Sequence, residues 1–221
     1  MKLAAAIAAL ALAALTGTAA PADAGRTTSC GVSGYNYAGI GAINASAGAA
    51  ATIRALDLPQ VAAGHVAAWV GYGGYGAGKG NTDAWLQVGI IRKAGEVPQL
   101  YWEVTRPGVE PELVPLGAAA VGRTYRVSVL EVAPSTWRAH VDGRPVSPAF
   151  VLPGSHRRWT ATAVAESWDG GAPVCNRFRF AFADLASLRD GEWRGFGSRF
   201  RLQGGAYRLD EVTRRSFLAL A

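Results

Sequence analysis

The chain has 221 residues, 50% of them hydrophobic and 17% charged, with a formal net charge of +6 that rests almost wholly on arginine, since only Lys2, Lys79 and Lys93 are lysines. That length accommodates one sizeable domain with its own core. The positive charges are scattered rather than gathered in a stripe, which argues against a nucleic-acid partner, and no segment after residue 24 has the roughly 18 unbroken apolar residues of a membrane helix.

Residues 1–24 read as an export signal. Met1-Lys2 gives a short positive start, Leu3 to Leu15 is apolar throughout, and Ala22-Asp23-Ala24 ends in the small-x-small pattern of a cleavage site. Cleavage before Gly25 leaves residues 25–221 as a single secreted domain, free of the membrane and expected to be monomeric. In an exported chain the two cysteines, Cys30 and Cys175, are expected to form a disulfide. Closing so long a loop contributes roughly 5 kcal/mol on the chain-entropy model. Two free thiols or a metal pair is the alternative, although no CxxC or Cys/His spacing accompanies them.

Along the chain the periodicity is that of strands. Residues 38–51 are rich in Ala and Gly and predict a loosely packed surface strand or loop, with an Asn44-Ala45-Ser46 sequon. Strands are predicted near 50–58, 65–73, 84–92, 98–105, 122–133, 136–142, 145–152, 158–168 and 176–186, with shorter ones near 193–201 and 205–210. Gly73 to Gly80 is a glycine-rich stretch without the phosphate-binding GxxxxGK[ST] pattern or a following helix, so it reads as a flexible connection. Asp142-Gly143 marks a hairpin turn. The density of arginines from Arg189 to Arg215 is interrupted by acids and reads as a solvated face. So many strands at regular spacing predict an all-β fold, an antiparallel two-sheet sandwich.

Side chains two apart on a strand share a face. This aligns His65, Ala67, Trp69, Gly71 and Gly73; Trp85, Gln87, Gly89 and Ile91; Gln99, Tyr101, Glu103 and Thr105; and Thr160, Thr162, Val164, Glu166 and Trp168. Four strands thus each present a mixed aromatic and polar face. Neighbouring one another in a curved sheet, they would form a groove for an extended polymer, with Trp69, Trp85, Tyr101, Glu103 and Trp168 as binding residues. A buried carboxylate or carboxamide in an apolar strand is costly without a partner or a task, which singles out Gln87 and Glu166.

Three segments resemble the glutamic peptidases, the eqolisin family, whose fold is a sandwich of the concanavalin A-like lectin and glucanase type. They are Trp69-Val-Gly followed by Gly-rich sequence, Trp85-Leu-Gln87-Val-Gly89, and Ala165-Glu166 with a downstream Phe182-Ala-Asp184. The resemblance implies that Gln87 and Glu166 are the catalytic pair. Glu166 would take a proton from water and later give it to the leaving amine, while Gln87 would hold that water and donate its amide hydrogens to the developing oxyanion. The chain departs from the family in carrying Gly73 and Ile91 where acids stand. Gly64 to Gly71, and Glu166 to Gly171 followed by Cys175-Asn176, also resemble segments of exported bacterial proteins.

Two other classes remain open. A non-catalytic, lectin-like glycan-binding protein would use the same rings as stacking platforms. A glycosidase would need two carboxylates at a defined separation, for which only Glu103 could accompany Glu166. His65, His140 and His156 lie apart in sequence, so no metal site and no cofactor is expected.

Overall fold

The computed structural model describes residues 34–168, 175–204 and 207–221. The proposed signal segment, Cys30 and the Asp169-Gly170-Gly171 turn lie outside them. In chain order the strands are β1 (Tyr35–Ala45), β2 (Gly48–Ala55), β3 (Gln60–Val61), β4 (His65–Gly74), β5 (Ala84–Lys93), β6 (Gln99–Arg106), β7 (Val109–Ala118), β8 (Tyr125–Ala133) and β9 (Thr136–Val141). There follow β10 (Arg144–Pro145), β11 (Phe150–Val151), β12 (Thr160–Trp168), β13 (Asn176–Arg177), β14 (Arg179–Arg189), β15 (Glu192–Arg194), β16 (Arg199–Gln203), β17 (Arg208–Thr213) and β18 (Ser216–Leu220).

These strands make an all-β sandwich of two large antiparallel sheets. The front sheet runs β16-β1-β12-β4-β5-β6-β7; the back sheet runs β10-β9-β8-β2-β14-β18-β17, with β11 on β9 and β15 on β14. A two-stranded β3–β13 sheet sits apart. It is pinned by Asn176, whose Oδ1 accepts from the Ala62 and Ala63 amides and whose Nδ2 donates to Ala63 O and Ser167 Oγ. Fully buried, Asn176 ties the start of β4 to the end of β12.

The core lies between the sheets and follows the alternation read from the sequence. Val66, Ala68 and Val70 of β4, Leu86, Val88 and Ile90 of β5, and Ala161, Ala163 and Ala165 of β12 point inward. They share one apolar cluster with Val127, Val129, Phe180, Phe182 and Phe217 of the back sheet. The same core thus combines the small alanine row of β12 with large aromatic side chains of the back sheet, as dense packing requires.

Three expectations are corrected. Residues 38–51 are not a loosely packed surface segment: β1 and β2 are interior strands of their sheets, and Ala38, Ile40, Ala49 and Ala51 are buried in the core, with Ile43 and Asn44 near the end of β1 exposed. Small side chains here reflect close approach, since a Cβ on Gly39 would collide with the β12 backbone and one on Gly41 with the Phe200 ring. Strand β7 went unpredicted because Pro111 and Pro115 interrupt it; it is the edge of the front sheet, where a missing N–H is tolerated. The predicted strand 145–152 is two separate two-residue pairings to β9.

Gly89 gives a direct test of how tightly the floor is built. A Cβ there would overlap the Ala68 carbonyl and the Trp69 Cα, both backbone atoms of β4. Gly89→Ala is expected to lower stability by about 1–3 kcal/mol, read from denaturant unfolding with unchanged m-value.

Candidate functional site

The front sheet's outer face carries the site, and cross-strand register shows how it is made. One row runs Phe200, Gly41, Thr162, Gly71, Gln87, Glu103, Leu113 across β16, β1, β12, β4, β5, β6 and β7. The next runs Leu202, Gly39, Val164, Trp69, Gly89, Tyr101. The one beyond places Tyr37 beside Glu166, Ala67 and Ile91. Glycine at 39, 41, 71 and 89 removes side chains from the middle of these rows. The hollow that results is a cavity of about 290 Å³.

Gln87 and Glu166 both line this cavity, as do Trp69, Trp85 and Glu103. Gln87 is 6% exposed and Glu166 4%, so each meets the cavity and little else of the solvent. The residue facing Gln87 in register on β12 is Thr162, with Gly71 between them; Glu166 stands four residues further along that strand. Its own partner is His65, whose Nε2 lies 3.4 Å from Glu166 Oε1 while the imidazole stacks on Trp168, centroids 5.8 Å apart. His65 was not singled out from sequence. Strand parity put it on the right face, but only the β4–β12 pairing brings it to the carboxylate.

The structure joins Gln87 to Glu103 directly. Gln87 Nε2 donates to Tyr101 Oη at 3.0 Å and to Glu103 Oε2 at 3.3 Å, and Trp85 Nε1 donates to Glu103 Oε1 at 3.0 Å. Both amide hydrogens of Gln87 are therefore engaged within the protein, which differs from the oxyanion-donor role implied by the family resemblance. Tyr101 is also displaced from its expected role. It is 0% exposed, packed with Ala67 and Ile91, and supports Gln87 from below rather than lining the groove.

Departures from the family pattern have physical reasons. Gly73 has φ of +88°, and a Cβ there would run into the Ala84 carbonyl, so an acid at this position is excluded by the backbone. Ile91 belongs to the small apolar cluster beneath Tyr101, where an unpaired carboxylate would be costly.

Burial first, then hydrogen bonds and charge, sets the electrostatics. Burial pushes the Glu103 carboxyl above its ordinary value, opposed by the Trp85 hydrogen bond and reinforced by the Glu166 charge. Folded, Glu103 thus holds its proton more tightly than unfolded. Its contribution to stability is fully present below the unfolded pKa and is lost as pH rises through the folded one. Burial, and next the Glu166 charge, push the phenols of Tyr35, Tyr37 and Tyr101 upward, so all three are neutral hydroxyls at working pH.

The cavity continues into an outer groove of about 930 Å³. They share Tyr35, Tyr75, Trp85 and Glu103, and Trp168 and His65 line the outer part. The stacked Tyr35 and Tyr37 rings, 5.7 Å apart, stand at the Glu166 end. Of the expected binding residues, Trp69, Trp85, Glu103 and Trp168 therefore face the cleft. Among the described residues no group of three or more His, Cys, Asp or Glu could hold a metal ion.

Solved structures similar to this chain share its architecture. Scytalido-glutamic peptidase with a transition state analog inhibitor has a TM-score of 0.63 at 15% identity, covering 86% of this chain and 100% of that one. The same peptidase with a peptide-based transition state analog gives 0.63 at 17% identity with the same coverage. SCP-B, a member of the eqolisin family in complex with the tripeptide Ala-Ile-His, gives 0.59 at 17% identity, again covering 86% and 100%. No family model matches the sequence, and no curated protein does. At these identities the likeness establishes the fold: a concanavalin A-like sandwich of the glutamic-peptidase kind.

Proposed function

We propose that this is a secreted endopeptidase that binds an extended polypeptide along the outer groove and hydrolyses it over the cavity, using Gln87 and Glu166 and no metal. The observation that carries this reading is a buried carboxylate and a buried carboxamide opening into one aromatic-walled cavity on the outer face of a sandwich sheet. Glu166 removes a proton from a water in the cavity as the water oxygen bonds to the scissile carbonyl carbon. The same proton then goes to the amide nitrogen as the C–N bond breaks, giving a carboxylic acid and an amine. Gln87 orients the water. A groove that continues from the cavity suits an extended chain, and neutral tyrosine hydroxyls offer donors along it. Export by residues 1–24 and a Cys30–Cys175 disulfide complete this reading.

The aromatic rings at the cleft favour one alternative, retention of a glycan without chemistry. Purified protein incubated with an unfolded protein substrate separates the two. Proteolysis is expected, together with a fall of about 100-fold in kcat/KM for Gln87→Ala through lost positioning of water. Retention on insoluble polysaccharides without proteolysis would establish the alternative instead.

A further inference from the structure

The contacts of Glu103 assign it a part in this site. As a carboxylate it has only acceptors, and the two donors nearest it are Trp85 Nε1 and Gln87 Nε2, one on each oxygen. The second hydrogen of Gln87 goes to the buried Tyr101 hydroxyl. A carboxamide held at both hydrogens has one orientation, with its carbonyl oxygen as the end free to act in the cavity.

We propose that Glu103 is the positioning residue of the site, fixing the Gln87 carboxamide so that its oxygen faces the cavity and accepts a hydrogen from the attacking water. This rests on the reading above that Gln87 acts on that water. It differs from a role in which Gln87 donates to the oxyanion, because that role would need one of the two engaged hydrogens. Protonation of Glu103 breaks the arrangement. A carboxylic acid turns one oxygen into a donor, which faces Gln87 or Trp85 with a second donor and lets the carboxamide turn over. The raised affinity of Glu103 for its proton moves this change above the ordinary carboxylate range.

Other groups in the surroundings titrate or carry charge and must be told apart. Glu166 of β12, His65 of β4 and Tyr35 of β1 face Glu103 across the cleft. Asp83, Arg106 and Glu110 line the outer groove with it, and Tyr101 shares its strand.

The side-chain amide resonances of Gln87, identified by their loss in Gln87→Ala, report the arrangement without any need for activity. In the wild-type protein they are expected to shift through acidic pH with a midpoint above the ordinary carboxylate range, and in Glu103→Gln that transition is expected to vanish. Proteolysis by Glu103→Gln is expected to show kcat reduced about 10- to 100-fold, the rate equivalent of one misplaced hydrogen bond, with KM within about twofold because substrate contacts elsewhere are kept. Gln87 resonances that ignore pH, or a transition that persists in Glu103→Gln, would overturn the assignment. Wild-type kcat in that variant would do the same. Absence of proteolysis by the wild-type protein would instead count against the peptidase reading, with the amide titration still deciding the role of Glu103.

Discussion

Glu166→Gln is expected to abolish hydrolysis of unfolded protein substrates, lowering kcat/KM by about 1000-fold or more across acidic and neutral pH while the protein remains folded. The substitution preserves shape and keeps polar atoms, one an acceptor and one a donor, that can still pair with His65 Nε2, so the 3.4 Å contact survives in kind. What disappears is the ability to take up and return a proton. General acid–base catalysis by one positioned group is worth about 100- to 10,000-fold, and here the same carboxylate is asked to act twice. Gln87→Ala should cost less, because a water in the cavity can still be activated when it is poorly oriented. The order of the two effects is the informative result. Should Glu166→Gln digest substrate as fast as the wild-type protein, the carboxylate of β12 is not the base and the reading fails, whatever the fold. Thermal unfolding of both variants checks that lost activity is not lost structure.

Much of the fold was legible because strand parity is a local property. The inward rows of β4, β5 and β12 follow from alternation alone, and each is buried in the structure. The β1–β2 region departs from the expected loose surface packing for an equally physical reason. Its Ala and Gly residues look weakly hydrophobic in sequence, but they mark strands that neighbours approach closely, as the collisions at Gly39 and Gly41 show. For the site, parity correctly put Gln87, Glu103, Trp69 and Glu166 on one sheet face. What it cannot supply is register between strands far apart in the chain. Pairing of β12 with β4 brings His65 to Glu166, and pairing of β5 with β6 brings Glu103 to Gln87. Both contacts depend on which residue stands opposite which, and a shift of two would keep every face assignment while dissolving both.

The largest loss of stability from a single side chain outside the cleft is expected at Trp137, on β9 of the back sheet. The residue is 0% exposed, and its ring meets Tyr72 at a centroid distance of 4.5 Å and Trp159 at 6.1 Å. Its Nε1 donates to Ser155 Oγ at 2.7 Å, and that hydroxyl in turn donates to Leu152 O at 2.6 Å. Tyr72 belongs to β4 and bonds Ser46 Oγ at 2.6 Å; Trp159 donates to Ala77 O in the glycine-rich connection. Trp137 therefore joins the two sheets directly beneath the cleft and braces the loop that carries Tyr75 over it. Trp137→Ala would open a large cavity and deprive Ser155 of its buried donor, at a cost of about 3–5 kcal/mol. In a domain of this size that corresponds to a fall in Tm of roughly 6–20 °C. Trp137→Phe, which keeps most of the ring contact, should lose markedly less. Because Trp137 contributes no group to the cavity, the fraction of Trp137→Ala that stays folded at low temperature should retain the pH dependence of proteolysis. A changed pH profile in well-folded protein would show that the aromatic cluster does more than hold the sheets together.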